Sequence, residues 1–350
     1  MMDKPNLKNF TQQELTDWVV QLGMKSFRGK QIFCWLYRPD ITDFSQMTDI
    51  SKEVRSQLAE KSFFSNLQPE IEERSKDGSV KYAFRLEDGK VIESVLIPEE
   101  ERLTLCVSSQ VGCAMGCRFC LTGTMGFVRN LSPAEIVGQV QSISEIVKKQ
   151  GYNRINNLVF MGMGEPLANF DNLITALSNL MNQNGLDFSS RRITVSTCGL
   201  IPKIKELGEK VPVNLAISLH AADNETRNKL MPVNATYPVD ELLAACRAYP
   251  LPNRRKIMIE YIMLKDINDS PKDAKLLIKK LHKLAAKVNL LPYNENKVFD
   301  FKSPPRERVE QFQTILRDAG ITALLRESRG SDISAACGQL ATLNNGEEES

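Results

Sequence analysis

From Thr104 to about Glu327, strand-like and helix-like segments take turns along the chain, and this alternation limits the possible folds more than any other feature. Short apolar runs read as strands at 104–108, 157–161, 192–197, 213–219, 256–263 and 287–293, with a last one, ITALLRE, at 321–327. Amphipathic stretches at 132–149, 170–182, 200–209, 238–248, 270–285 and 305–318 read as the intervening helices. Strands that are apolar throughout, and separated by helices, belong to a parallel sheet covered on its outer face. The pattern predicts an α/β fold built on a partial, TIM-like (β/α)₆ barrel. In such a fold the working residues gather at the C-terminal ends of the strands.

The remainder is smaller. Residues 1–65 read as an N-terminal helical accessory domain, with an apolar face made by Leu15, Val19, Leu22, Ile32, Phe33, Trp35 and Leu36. Residues 66–103 read as a short β segment and linker, since VKYAFRLEDGKVIESVLI is two strands around a Glu-Asp-Gly turn. With this segment the accessory part is α+β. The barrel is assigned 104–341 and a polar, flexible tail 342–350.

Composition excludes several classes. At 350 residues, with 42% hydrophobic and 25% charged residues, the chain can bury one large core with a small appendage. No window approaches a membrane span, and MMDKPNLKNFTQQEL lacks the apolar centre of a signal peptide, so a cytoplasmic protein is expected. There the eight cysteines are better read as ligands and reactive thiols than as disulfide staples, and two histidines are too few for a histidine-rich metal site. A net charge of +2 does not announce a nucleic-acid binder. Local basic clusters at Lys148-Lys149, Arg191-Arg192, Arg254-Arg255-Lys256 and Lys279-Lys280 with Lys283 permit an anionic polymer as partner without requiring one.

The chemistry is concentrated in GCAMGCRFC, where Cys113, Cys117 and Cys120 have the spacing C-x₃-C-x₂-C. Iron–sulfur cubes prefer soft thiolates, and Gly112, Ala114 and Gly116 let a short loop curl around one. Three thiolates leave the fourth iron of a [4Fe–4S] cube open, so a substrate or cofactor ligates there. Zinc would ask for a fourth cysteine or histidine nearby, and none follows. Gly162-Met163-Gly164-Glu165-Pro166 follows a strand directly, and its glycines and carboxylate suit close approach to an amine-bearing ligand. Ser196, Ser218, His220 and Asn294 are further polar residues at strand ends, where each alone could equally cap a loop. Cys34 and Cys246 lie in apolar helical stretches and read as small buried hydrophobes. Cys198 has no evident partner, and pattern alone does not pair Cys106 with Cys337.

The runs CVSSQVGCAMGCRFCLTG (106–123), GFVRNL (126–131), FMGMGEPLAN (160–169), RRITVST (191–197), SLHA (218–221), NKLMPVN (228–234) and DISAACGQL (332–340) carry a resemblance that extends from about residue 13 to 341. Through them the chain resembles the radical S-adenosylmethionine (SAM) RNA adenine methyltransferases of the RlmN/Cfr family. The resemblance implies a barrel of the radical SAM type, one [4Fe–4S] cluster on Cys113, Cys117 and Cys120, and SAM chelated to the open iron. It places Gly164 and Glu165 on the methionine amino end, with Ser196, Ser218, Leu219, His220 and Asn294 along the rest of SAM. It makes Cys337 the cysteine that becomes S-methylated, Cys106 the partner that resolves the enzyme–RNA adduct as a disulfide, and Glu93 the proton acceptor.

The implied mechanism answers a chemical difficulty. Carbon 2 of adenine is a poor nucleophile, whereas a thiolate such as that of Cys337 is a good one and can take a methyl group from a first SAM. A second SAM, cleaved reductively at the cluster, supplies the radical that activates this methyl group for addition to the base. The base must leave its stack to reach the barrel mouth. Arg118, Arg129, Arg191 and Arg192 are candidates to hold phosphates there. Implied partners are 23S ribosomal RNA near the peptidyl-transferase centre, the adenosine beside the anticodon in some transfer RNAs, a flavodoxin-like electron donor and a thiol reductant, the enzyme itself being a monomer. GEPLAN, with Pro166, resembles the housekeeping members that act at C2, while YIMLKDINDS is also close to the antibiotic-resistance members that act at C8.

Overall fold

The computed structural model describes residues 4–100, 102–252 and 254–340. The tail assigned to 342–350 lies outside them. Helices α1 (Gln12–Gln21), α2 (Phe27–Leu36) and α3 (Lys52–Lys61) come first, followed by strands β1 (Pro69–Arg74), β2 (Val80–Arg85), β3 (Val91–Glu99) and β4 (Arg102–Cys106). Next are β5 (Gln110–Gly112), the one-turn helix α4 (Leu121–Thr124), β6 (Phe127–Asn130), α5 (Pro133–Lys149) and β7 (Asn157–Phe160). The chain continues through α6 (Phe170–Met181), β8 (Ile193–Thr197), α7 (Ile201–Lys210), β9 (Asn214–Ser218), α8 (Asn224–Leu230) and α9 (Val239–Ala248). It closes with β10 (Ile257–Met263), α10 (Pro271–Leu281), β11 (Ala286–Pro292), α11 (Arg306–Asp318) and β12 (Thr322–Leu325).

One ten-stranded sheet runs in the order β1-β2-β3-β4-β7-β8-β9-β10-β11-β12. From β4 to β12 every neighbouring pair is parallel. The seven strands expected from the alternation are all present. The span 66–103 supplies three antiparallel strands that continue this sheet past β4. β1, the charged run PEIEER, has no apolar alternation to betray it; as an edge strand it gains from charges that discourage pairing with another chain. Among the described residues, no helix is long and apolar enough to cross a membrane.

The parallel order β4-β7-β8-β9-β10-β11-β12 is that of a partial barrel. Alternation along the strands separates two faces. Ile257, Ile259, Tyr261, Val288 and Leu290 are fully buried under the helices, whereas Glu260 and Asn289 project from the opposite, concave face.

Local signals explain the helices that cover the sheet. α5 starts with Pro133 behind a reciprocal cap in which the Ser132 hydroxyl accepts from the Glu135 N–H and Glu135 Oε2 accepts from the Ser132 N–H. Ser270 and Asp273 repeat the device on α10, which stops at Leu281, short of the expected 285, because the chain turns back through Lys283 at φ 63°. The turn Leu7–Asn9 ahead of α1 seats on α5 through polar contacts: Lys8 Nζ donates to Gln141 Oε1 (2.9 Å), and also to Asn66 Oδ1 (2.8 Å), and Asn9 Oδ1 accepts from the Ala134 N–H (2.9 Å). Burial lowers the Lys8 ammonium to about 8. Because Ile259 is wholly enclosed between sheet and helices, Ile259→Ala should cost about 2–5 kcal/mol in urea unfolding. Lys272→Ala on exposed α10 surface should stay within about 0.5 kcal/mol; equal losses would contradict this placement of the core.

Candidate active site

The cysteine loop hangs from a small hairpin that the sequence did not disclose. β5 and β6 pair antiparallel, and the segment between them carries Cys113, Cys117 and Cys120. Gly112 makes the turn possible: its φ is 71°, and a Cβ there would lie 1.8 Å from the Gly126 carbonyl oxygen. The Cys113 N–H donates to that same oxygen (2.9 Å). Farther along, the Cys120 N–H donates to the Cys117 carbonyl (3.2 Å) and the Arg118 N–H to the Leu230 carbonyl (2.9 Å).

The donor set fits an iron–sulfur cluster. Burial pushes the Cys113 thiol up to about 11 and the Cys117 thiol higher still, and the thiols of this loop raise one another further. Metal binding relieves that crowding by exchanging protons for iron. Among the described residues no three His, Cys, Asp or Glu side chains meet around one metal ion. A cube differs from such a site because each thiolate has its own iron.

Glu165 sits beside this loop, 4% exposed. Its Oε1 accepts from the Leu167 N–H (3.0 Å) and its Oε2 from the Cys198 N–H (2.8 Å), while its own N–H donates to Gln110 Oε1 (2.8 Å). Burial raises the carboxyl, against these hydrogen bonds. Gly164 packs so closely that a Cβ would come within 2.5 Å of the Gln110 Cβ, and its φ is 97°. Gln110 therefore locks the glycine turn to the hairpin, with its Nε2 donating to Asn130 Oδ1 (2.8 Å).

The other expected residues fall at successive strand ends. Ser196 is buried on β8, Ser218 ends β9, and Leu219 and His220 follow. His220 has φ 59°, and its Nδ1 accepts from the Ile262 N–H (3.0 Å). Burial, then the charge of Arg227, lowers it to about 3, so the ring is neutral with its proton on Nε2. Phe119 of the cysteine loop meets the ring edge-on at 4.7 Å. Asn294 lies just past β11, partly exposed.

Two residues that sequence reasoning missed hold these ends together. Arg227 is fully buried: Nε donates to the Leu219 carbonyl (3.0 Å), and Nη2 to the carbonyls of Cys198 (2.6 Å) and Ser218 (3.2 Å). Asn268 Nδ2 donates to the carbonyls of His220 and Ile262, both at 2.7 Å. Arg227 is on α8, a seven-residue helix too short for apolar periodicity, and a charged residue in NETRNKL reads as solvated surface. Cys198 also gains a role, through its backbone N–H and carbonyl.

All eight cysteines are free thiols, so Cys106 and Cys337 are not joined here. Burial, then the field of Cys337, pushes the Cys106 thiol well up. Cys337 is accessible yet surrounded by protein, and this surrounding, then Glu260 and Cys120, raise its thiol to about 11. Its segment is pinned to the cysteine loop, because the Leu121 N–H donates to the Gly338 carbonyl (2.7 Å) and the Thr122 hydroxyl to the Leu340 carbonyl (2.5 Å). At its other end Asp332 accepts from the Ser75 hydroxyl (2.6 Å) and the Lys76 N–H (3.1 Å), and Asp77 accepts from the Gly330 N–H (2.7 Å).

Glu93 projects from β3 on the face shared with Cys106, since Val95 pairs with Cys106 and Glu93 lies two residues away. It is buried, with Lys81 Nζ 3.5 Å from Oε1. Of the arginines expected at the mouth, Arg118 is exposed beside the loop, but Arg129 is bound by Asp88 (2.7 Å) and bidentately by Glu135. Arg191 and Arg192 precede β8 and so lie at the opposite end of the barrel from Ser196. Chain direction alone could have excluded them.

Comparison with known proteins agrees with this geometry. Residues 107–278 match the model of the radical SAM superfamily, and residues 5–63 that of the ribosomal RNA large subunit methyltransferase N-terminal domain. A crystal structure of a radical SAM methyltransferase from Sphaerobacter thermophilus superposes with a TM-score of 0.89 and is 42% identical, covering 96% of this chain and 98% of that one. The fold and the cysteine loop thus define a radical SAM methyltransferase, an enzyme that works with SAM and an iron–sulfur cluster. The dual-specificity RNA methyltransferase RlmN of Desulfotalea psychrophila is 55% identical over 346 residues, 97% of this chain and 96% of that protein. That of Geotalea uraniireducens is 52% identical over 97% of each. The chain belongs to the RlmN family.

Two outcomes follow from the site. Burial raises the Glu260 carboxyl from 4.5 to about 7, so the folded state holds this proton more tightly than the unfolded chain. Stability should therefore fall as pH climbs from about 4.5 to 7 and level off above. Glu260→Gln keeps the Asn289 hydrogen bond and should stabilise by up to about 3 kcal/mol at pH 8, with little effect near pH 4.5, in denaturant titrations. An equal effect at both pH values would contradict the raised carboxyl. Removing the Asp332 anchor by Asp332→Ala should speed tryptic cleavage after Arg326 and Arg329 several-fold, and unchanged digestion would show that the anchor does not restrain this segment.

Proposed function

We propose that this chain methylates carbon 2 of adenine in two kinds of RNA, 23S ribosomal RNA near the peptidyl-transferase centre and transfer RNA beside the anticodon. The observation that carries the reading is the pinning of the Cys337 segment onto the cysteine loop, where the charge of Cys337 reaches Cys106. The dual specificity in the relatives' names supports the choice of substrates.

In this reading Cys113, Cys117 and Cys120 hold the [4Fe–4S] cluster, and Gly164, Glu165, Ser196, Ser218, Leu219, His220 and Asn294 hold SAM. When bound, the two cofactors supply a transferable methyl group and the one-electron chemistry that a C–H bond of the base demands. The protein's contribution is placement and proton control. Glu165, whose carboxylate oxygens accept from the Leu167 and Cys198 N–H groups, turns its remaining acceptor capacity to a substrate amine. His220, its Nδ1 occupied by the Ile262 N–H, presents Nε2–H as a donor. Cys337, protonated at neutral pH, must give up its proton before its sulfur can attack a methyl group, and a neighbouring sulfonium makes the thiolate easier to reach. Glu93 takes the ring proton of the base, with the Lys81 ammonium complementing its charge. Cys106 attacks the Cys337 sulfur and breaks its bond to the methylene carbon on the base. That carbon keeps the electron pair and takes up a proton to become the methyl group, while the two cysteines are left as a disulfide. A flavodoxin-like electron donor and a thiol reductant reset the enzyme, which acts as a cytoplasmic monomer.

Mass spectrometry of RNA from a strain lacking the gene tests the proposal. Loss of 2-methyladenosine from ribosomal and transfer RNA, restored by the wild-type gene and not by Cys337→Ala, is expected. Unchanged levels would refute the function, and loss of 8-methyladenosine instead would move the reaction to the other ring position.

A further inference from the structure

The end of the barrel opposite the cysteine loop holds a cavity of about 330 Å³. Two basic clusters separated by more than sixty positions in the chain meet there: Arg191, just ahead of β8, and Arg254, Arg255 and Lys256, just ahead of β10. Lys287, the second residue of β11, adds a fifth cation, and Thr194 and Asn214 line the same space. No carboxylate lines it.

Apart from the pull of buried Glu260 on Lys287, this positive charge meets no acid at close range among the described residues. Among the described residues none of these five cations has an acidic partner within 4.0 Å, although the acids elsewhere on the surface repeatedly find one. Arg255 is held by neutral acceptors, the Pro212 carbonyl (2.6 Å) and the Ser190 hydroxyl (3.5 Å), and Lys256 Nζ donates to the Thr322 hydroxyl (3.2 Å). These contacts orient the groups without cancelling their charge. Burial and the charges of Arg326 and Lys256 lower the Lys287 ammonium, against the pull of Glu260. Gathering like charges around one concavity costs free energy unless an anion enters it.

From this convergence we infer that the cavity is a binding site for a phosphate-bearing ligand, separate from the site of chemistry. Arginine and lysine together suit phosphate oxygens, the guanidinium as a fork and the ammonium as a point charge. The volume lies in the range of small-molecule sites, about 300–1,000 Å³, and is larger than a lone phosphate ion needs. It suits a chain of phosphates, or one phosphate with its attached sugar. Two sources share that chemistry: a free polyphosphate, and the backbone of RNA lying along this end of the barrel.

The test uses the full, cluster-loaded protein and inorganic tripolyphosphate as probe, read by calorimetric titration at low salt. The wild type should bind. Arg254→Gln/Arg255→Gln/Lys256→Gln should weaken binding at least ten-fold, and Arg254→Lys/Arg255→Lys should recover most of it. Lys272→Gln/Lys275→Gln/Lys279→Gln removes equal charge from exposed α10 and should leave binding unchanged. Circular dichroism and the cluster's absorbance verify that each variant is folded. Transfer RNA binding by the same proteins separates the sources. If affinity falls ten-fold with a shallower salt dependence only in the cavity variant, and tripolyphosphate competes, the ligand is RNA backbone. If RNA affinity is unaltered while tripolyphosphate binding is lost, the ligand is a free polyphosphate. No binding by the wild type, or equal weakening by the two triple variants, would overturn the site.

Discussion

Parallel strands deliver their ends to the same place, and the backbone groups exposed there must find partners away from water. This requirement organises the active end of the barrel. Arg227 answers it for β8 and β9 by taking three carbonyls with one guanidinium, and Asn268 answers it for β9 and β10. On the β4 side the amide of Gln139 accepts from the Ser108 N–H and donates to the Ser108 carbonyl. Ser108 in turn accepts from the Met163 N–H and donates to the Glu93 carbonyl. Removing any one of these side chains would strand buried polar groups at a cost of roughly 1–3 kcal/mol each. The geometry offered to cofactors is thus a by-product of satisfying the backbone.

The same logic separates what sequence could disclose from what it could not. Strand and helix alternation is a repeating signal, and each parallel strand was visible because its core-facing side chains are continuous with buried neighbours. Glu165, Ser196, Ser218, His220 and Asn294 were expected after strands, and the structure places them at strand ends, whereas Glu93 lies within β3 and Cys337 in the C-terminal segment. The failures have physical causes. β5 and β6 are three and four residues long, so alternation has no room to register. β1 carries charges because it is an edge. Arg227 and Asn268 act on carbonyls supplied by remote segments, and nothing local marks a side chain that serves another element's backbone. Arg191 and Arg192 were drawn to the mouth by their charge, against the direction of their strand.

The Cys337 segment is held by contacts of very long range. Thr122 reaches Leu340, and Ser75 reaches Asp332. Such closures carry an entropic cost that rises only slowly with loop length, so a few well-placed hydrogen bonds suffice to hold them. The anchors lie on both sides of Cys337 and leave the intervening turn, which includes Ser334 at φ 51° and Gly338 at φ 78°, free of regular structure.

The position of this segment in the chain also orders assembly in time. Proteins emerge from the ribosome N-terminus first and fold in that direction. The hairpin that carries Cys113, Cys117 and Cys120 is complete once β6 has been made, while the strap bearing Cys337 waits for all of β7 to β12. Through most of its synthesis the nascent chain therefore carries the cysteine hairpin without the Cys337 strap across it. The last docking event, rather than the formation of the sheet, lays the Cys337 strap against the cysteine loop.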